Sequence, residues 1–403
     1  MTSRTRLNSI LALTLGFALP ALGCGKPAPE ELVIGEYGSL TGTEGTFGSS
    51  TKNGVEVALE QLAAAKQGKI GGLAVRVVVE DDQSKPEEAA TVVQKLINTD
   101  RVVAVVGEVA SSRSLAGGPI CQAASVPMIS PSSTNPEVTR KGDYIFRMCF
   151  LDDFQGRVMA KYTAENLKLK KVAILKDVKN DYSVGLSKYF TDGFTAMGGS
   201  VVVEQSYSSG DQDFRAQLTA IKARKPEAIV VPGYYTEVGL IGKQARELGI
   251  KVPLIGGDGW ESEKLLEIGG DALNGCYYSN HWALDFPDPK LQAFLKDYRA
   301  KFNSDPDAIG GLAYDAANVL FRSLEKLAEQ DPAAFKGLSS RKADSPERKA
   351  AAAKLRDLIA GTKDYAGVTG TIPLDENRNA TKPAVVIAIK DGKKVYDTTI
   401  QPF

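Results

Sequence analysis

The chain is predicted to be an α/β protein made of two doubly wound parallel-sheet lobes. Short, unbroken apolar runs recur along it, as expected of strands buried on both faces of a parallel sheet. Longer stretches with helical spacing lie between them, as βαβ crossovers require. The alternation runs twice, once over about 32–146 and again from about residue 171.

A leader comes first. Arg4 and Arg6 stand in Met1–Arg6 without an acid, an apolar run follows from Ile10 to Leu22, and Ala21-Leu22-Gly23-Cys24 closes it. Residues 1–23 read as a secretory signal with a lipobox-like end, in which a small residue before cysteine permits cleavage and Cys24 takes a lipid. Ala21 is a weaker lipobox residue than Leu, so plain cleavage into the periplasm is the alternative. The run is shorter than the ~20 apolar residues a spanning helix needs. Residues 24–31 form a polar, Pro-containing tether. The expected location is therefore the periplasm, with the body held at a membrane face by the lipid.

Strands are expected at Leu32–Gly35, Ala74–Val79, Val102–Val106, Val126–Ile129, Lys171–Leu175, Val201–Gln205, Ala228–Val231 and Val252–Ile255. Val55, Leu59, Leu62 and Ala63 give the first helix an apolar face, and Leu291, Phe294, Leu295, Tyr298 and Phe302 do the same for a late one. Phe150–Gly156, between the two series, is no Pro/Ser-rich linker. Lobes joined so directly face each other across a cleft. Asp391-Gly392, between the apolar run Ala384–Lys390 and Lys393–Asp397, is a hairpin signal. The Ala/Lys/Arg-rich stretch between Gln330 and Lys354 reads as a surface insertion with a helical second half.

Composition narrows the function. The 403 residues are 43% hydrophobic and 24% charged, enough to build a sizeable core in two or three domains. Lys plus Arg and Asp plus Glu both number 49, which argues against nucleic acid or an anionic membrane as the main partner. His281 is the only histidine and no Cys/His spacing occurs, so a zinc site or a Ser-His-Asp triad is poorly supported. No G-x-G-x-x-G runs from a strand into a helix, and Gly38–Gly42 lacks the Lys-Ser/Thr of a phosphate loop. Neither a cofactor nor a metal is expected. Besides Cys24, either two of Cys121, Cys149 and Cys276 pair in an oxidising compartment, or all three are buried as small hydrophobes.

In open α/β sheets, ligands bind beyond the carboxyl ends of the strands. Five segments there are polar and hydroxyl-rich: Gly107–Ser112, Ser130–Thr134, Asp177–Ser183, Gly233–Glu237 and Gly256–Trp260. Hydroxyls and backbone N–H groups at helix N-termini receive a carboxylate. Asp258, between two glycines, receives a cation, and Tyr182, Tyr234 and Trp260 offer apolar faces with a polar tip. Such a set suits a zwitterion such as an amino acid. Taken singly, each loop is better explained by helix caps and Asp-Gly turns than by a site. The five together favour a site.

The chain resembles the type I periplasmic binding proteins for branched-chain amino acids, the Leu/Ile/Val-binding receptors of ABC importers. The segments that carry the likeness are Ile34–Gly42, Phe47-Gly48, Asn53-Gly54, Asp81-Asp82 before Pro86, Val105-Val106-Gly107 with Ser111-Ser112, and Pro127–Pro136. Phe146-Arg147, Gln155-Gly156, Pro232–Tyr235, Gly256–Gly259 and Ala313-Tyr314-Asp315-Ala316 continue it. The resemblance implies two lobes joined by three crossovers, near Leu151–Asp152, Asn280–Trp282 and Lys382–Val386, that close on the ligand by hinge bending. One lobe would hold 32–151 plus 282–381, the other 152–280 plus 384–403.

Carried over by motif, Ser111, Ser132 and Thr134 match positions that bind the ligand's α-carboxylate and part of its amino group. Asp258 matches the acid that pairs with the α-ammonium. Tyr182 and Tyr234 match second-lobe contacts, and Phe47 an aromatic lining the side-chain pocket. A family member has Glu where this chain has Asp258 and an aromatic where it has Ile309. Its lobe-one disulfide is absent here, with Ser84 and Ala110 at the cysteine positions. The zwitterion end therefore looks kept and the side-chain pocket changed.

The resemblance implies a lipid-anchored extracytoplasmic receptor that delivers a branched-chain or other small apolar L-amino acid to ABC permease subunits, acting as a monomer. One alternative is a receptor that senses an amide or related solute and signals to a separate membrane partner without transport. An enzyme working in the cleft is disfavoured, because the adjacent acids Asp81-Asp82 and Asp152-Asp153 would point in different directions and a single histidine leaves little to build a nucleophile's base from.

Overall fold

A computed structural model describes residues 31–284, 288–339 and 345–402. The leader, Cys24 and the tether through residue 30 lie outside the described residues. In chain order the first half runs β1 (Glu31–Gly38), α1 (Gly45–Lys66), β2 (Lys69–Ile70), β3 (Leu73–Asp81), α2 (Pro86–Asn98), β4 (Ala104–Val106), α3 (Ser111–Ala123), β5 (Met128–Ser130) and β6 (Ile145–Arg147). Then come α4 (Asp152–Lys161), β7 (Lys171–Asp177), α5 (Asp181–Ala196), β8 (Ser200–Tyr207), α6 (Arg215–Ala223), β9 (Ala228–Val230), α7 (Tyr235–Glu247), β10 (Leu254–Gly256), α8 (Glu263–Gly269) and β11 (Tyr277–Asn280). The chain ends with α9 (Pro289–Phe302), α10 (Ala308–Gln330), α11 (Pro332–Leu338), α12 (Pro346–Ala360), the hairpin β12 (Tyr365–Gly367) and β13 (Gly370–Ile372), then β14 (Ala384–Lys390) and β15 (Lys393–Ile400).

Two sheets result. The first has the order β2-β3-β1-β4-β5-β6, the second β15-β14-β11-β10-β9-β7-β8. Their parallel cores, β3-β1-β4-β5-β6 and β8-β7-β9-β10-β11, repeat one winding in which the second strand lies outside the first. Each therefore reverses direction once, between β1 and β4 and between β7 and β9, and a crevice opens at each switch point. The antiparallel β14 and β15 extend the second sheet beside β11.

The continuous apolar runs are explained by burial on both faces. Leu32, Ile34, Ala104, Val106 and Ile129 face a core shared with α1 and α10, while Val33, Val105, Met128 and Ile145 face one shared with α2 and α3. The second sheet divides likewise. Val172, Ile174 and Val230 pack on Phe190 and Phe194 of α5, and Ala173, Leu175 and Ile229 on Val238 and Ile241 of α7. The chain leaves the first sheet after β6, leaves the second after β11, and returns to it at β14.

Several expectations need correction. Ala63 is exposed, and the buried face of α1 is completed by Val57 and Ala58. The strands β6 and β11 were not foreseen, because Arg147, Ser279 and Asn280 interrupt their apolar character, nor was the hairpin β12–β13, whose strands are three residues each. The stretch 330–354 is not a surface insertion. It supplies α11 and the first half of α12, whose Phe335, Leu338 and Ala351 are buried in the same core as Leu320 and Leu324 of α10. Cys121, Cys149 and Cys276 are all buried free thiols.

Leu338→Ala should therefore lower unfolding free energy by about 2–5 kcal/mol in a denaturant titration, the cost of a core truncation. A surface insertion would give a change within about 0.5 kcal/mol.

Candidate functional site

The eight residues singled out from the sequence meet in one pocket between the two sheets. Phe47, Ser111, Ser132, Thr134, Tyr182, Tyr234, Asp258 and Ile309 line it, joined by Val109 and Gly259. Phe47 is in the first turn of α1, Ser111 opens α3, Tyr182 is in the first turn of α5, and Tyr234 directly precedes α7. All four thus flank the switch points. Ser132 and Thr134 follow β5, and Asp258 follows β10.

Local hydrogen bonding explains which hydroxyls face the pocket. In the run Ser130–Thr134, Ser130 Oγ and Ser133 Oγ donate to the Glu108 carbonyl at 2.6 and 2.9 Å, which occupies them inside the fold. Ser132 and Thr134, between and beyond them, line the cavity, Ser132 Oγ beside Asp258 and His281 and the Thr134 side chain bonded to Asp152. Both α3 and α7 begin without a side-chain cap, so their N-terminal dipole ends are not blocked by the protein.

The pocket is closed. Phe47 meets Tyr234 and Tyr235 edge to face at 5.3 and 5.2 Å between ring centroids, and Tyr182 stacks on Tyr234 at 5.3 Å. Polar contacts bridge the same gap. The Thr46 N–H donates to Tyr235 Oη at 3.2 Å, Thr236 Oγ1 to the Thr43 carbonyl at 2.6 Å, and the Asp181 N–H to Ser112 Oγ at 2.9 Å.

Asp258 is 7% exposed and held from several sides. Gln155 Nε2 donates to its Oδ1 at 2.9 Å, while Gln155 Oε1 accepts the Asp258 N–H at 2.9 Å and the Ser279 hydroxyl at 2.9 Å. His281 Nε2 lies 3.0 Å and Ser132 Oγ 3.4 Å from Oδ2. The glycine before Asp258 is required by this packing. A Cβ on Gly257 would stand 2.2 Å from Gln155 Oε1 and 2.4 Å from Tyr182 Oη. Trp260 does not line the pocket; it is fully buried and its Nε1 donates to the Val231 carbonyl at 2.9 Å.

A family model described as "Periplasmic binding protein" matches residues 31–394. The chain belongs to the periplasmic binding protein family. A Pseudomonas aeruginosa protein named as a leucine-, isoleucine-, valine-, threonine- and alanine-binding protein is 33% identical over 330 residues, covering 81% of this chain and 85% of the relative. The Leu/Ile/Val-binding protein BraC3 of Rhizobium johnstonii is 33% identical over 335 residues, covering 83% and 87%. Among solved structures, a leucine binding protein LivK from Thermotoga maritima superimposes with TM-score 0.83 at 36% identity, covering 92% of this chain and 99% of that one. The substrate binding protein LivJ of Streptococcus pneumoniae, in complex with isoleucine, gives 0.82 at 32% identity, covering 92% and 100%. Both share the two doubly wound lobes, so the type I periplasmic binding protein fold is that of this chain.

This member of the family carries polar residues around the pocket that its sequence did not single out. Gln155 appeared only as part of a motif, and His281 only as evidence against a triad. A buried ionic cluster lies beside the lining residues Val109 and Ser111. Arg113 Nη1 is 3.1 Å from Glu44 Oε2 and its Nε 3.3 Å from Glu108 Oε2, with Asp82 next to them. Burial pushes Glu108 up to about 8 despite the Arg113 charge, and raises Asp82 as well. The cluster ties the ends of β3 and β4 to α1 and α3, and so fixes the first switch point.

Arg113→Met strands these acids and should cost about 3–5 kcal/mol of stability at pH 8. With the cation gone the acids hold their protons more readily, so the deficit should shrink towards pH 5. Paired denaturation curves at the two pH values check this.

Proposed function

We propose that the protein is an extracytoplasmic receptor that binds a small apolar L-amino acid, branched-chain ligands first among them, and delivers it to an ABC importer. The observation that carries the reading is the chemistry of the pocket. Its polar lining is a set of hydroxyls and one carboxylate, with no basic side chain, and the rest is apolar. A ligand buried there must bring its own positive charge to Asp258 and a group that accepts from hydroxyls and helix N–H groups. A zwitterion does both. Its α-ammonium pairs with Asp258, and its α-carboxylate with Ser111, Ser132 and Thr134. Tyr182 and Tyr234 contact it from the second lobe, and Phe47 and Ile309 face its side chain. The amino-acid-binding names of the relatives support the same reading.

The two sheets with their helices act as lobes, 32–151 plus 282–381 and 152–280 plus 384–403, that open and close about three crossovers. A lipid on Cys24, after removal of residues 1–23, would hold this body as a monomer at the membrane on the tether 24–31, in the periplasm and within reach of the permease subunits. Binding needs neither a cofactor nor a metal, and no reaction follows it.

A thermal-shift screen of the mature protein, unfolded and refolded to strip carried ligand, should show a rise of several degrees with aliphatic L-amino acids. No response to any amino acid would overturn the reading. Asp258→Ala should lose two to four decades of affinity, from about 3–5 kcal/mol for a broken buried pair. Ser111→Ala should lose one to two decades, from about 1–3 kcal/mol. For the anchor, Cys24→Ala should move the protein from the membrane fraction to the soluble periplasmic fraction, whereas an unlipidated protein would be soluble in both forms.

A further inference from the structure

The single histidine lies where the cleft and two of the crossovers meet. His281 directly follows β11, on the segment leading back towards the first sheet, and is 4% exposed. Its Nε2 is 3.0 Å from Asp258 Oδ2 and 3.2 Å from Ser132 Oγ, one group from each side of the pocket. Its ring lies against Phe150, just before α4 on the first crossover, with centroids 4.0 Å apart and planes tilted by 32°. Nδ1 has no protein partner. Donation to a carboxylate needs the proton on Nε2, and no neighbour calls for one on Nδ1, so the contacts select the neutral Nε2–H tautomer.

We infer that His281 is a positioning residue for ligand binding: its neutral Nε2–H aims Asp258 at the ligand ammonium and couples that aim to the closed arrangement of the crossovers. The inference rests on the amino-acid reading of the pocket. A carboxylate offers about four lone-pair sites. Gln155, His281 and Ser132 stand at three, leaving one direction for an ammonium. Protonating His281 would set a second cation beside the ligand and divide the Asp258 charge between the two. The charged groups facing the imidazole are Asp258 and Glu261 from the segment after β10 and Lys382 from the third crossover. Burial first, and Lys382 with it, hold the imidazole below its ordinary value against the pull of the two acids. The neutral form is thus present at neutral pH and is lost on acidification, so affinity should fall as pH drops.

The test is calorimetric titration of the full mature protein between pH 5 and 8, wild type against His281→Gln and His281→Phe. The probe is L-leucine, or the amino acid with the largest thermal shift if that is another. His281→Gln keeps an N–H donor that cannot ionise, and His281→Phe keeps a ring on Phe150 without the donor. Expected are a wild-type affinity that drops about tenfold from pH 7.5 to 5, a Gln variant within about threefold of wild type at pH 7.5 and flat below it, and a Phe variant about tenfold weaker at pH 7.5. A wild-type profile as flat as that of the Gln variant overturns the inference, as does a Phe variant of wild-type affinity. If the Phe variant fails to fold, the wild-type and Gln profiles still decide. Wild-type protein that binds no amino acid at pH 7.5 overturns the functional reading itself, a result distinct from both.

Discussion

A carboxylate buried between two lobes is the constraint that the pocket is built around. Taking Asp258 out of water costs several kcal/mol unless donors replace its hydration. Those donors come from widely separated parts of the chain: Gln155 from α4, Ser132 from the end of β5, and His281 from the segment after β11. Gln155 is itself oriented, because its Oε1 accepts from the Asp258 backbone and from Ser279, which turns its Nε2 towards the carboxylate. The charge is thus tolerable only when both sheets are folded and brought together. In the same network Asp152, whose Oδ1 accepts from Gln155, is pushed well above the usual carboxylate range by burial and then by the Asp258 charge.

The fold makes this meeting geometrically simple. Two sheets with the same winding each open one crevice at the reversal of strand order, and the crevices face each other. Residues that directly follow β4, β5, β9 and β10 then converge without long loops. On the first side the Arg113 cluster holds the strand ends in place, and at the cleft Phe47 is clamped by Tyr234 and Tyr235. The aromatic contacts join the two sides of the cleft, while the buried ion cluster lies wholly on the first side.

What was legible in the sequence follows from how local each signal is. Val105 and Ile174 announce strands because burial on both faces demands an unbroken apolar run. Ser111 and the glycine-flanked Asp258 stand out because a polar residue beyond a strand end has a use there. Gln155 escaped notice because its partner Asp258 lies 103 residues away, and His281 because its partners Asp258 and Ser132 lie 23 and 149 residues away and it carries no local pattern. The α11–α12 region misled for the opposite reason. Its Ala, Lys and Arg content looks like solvent-facing chain, yet Leu338 and Leu355 are spaced so that one face of the pair enters the core.

The same pocket explains why a receptor of this kind would be selective for charge pattern before size. With hydroxyls and one carboxylate as its polar lining, an uncompensated anion has no basic partner and an amine without a carboxylate leaves the hydroxyl end unused. Each mismatch leaves a buried polar group without a partner, which costs about 1–3 kcal/mol and more where charge is involved. Differences of one methylene against Phe47, Val109 or Ile309 are worth only about 0.8 kcal/mol each. On the proposed reading, discrimination should therefore be steep between zwitterions and other solutes and shallow among aliphatic side chains. On that reading the charged end would set which class of solute enters, and the apolar walls would only rank the members of that class.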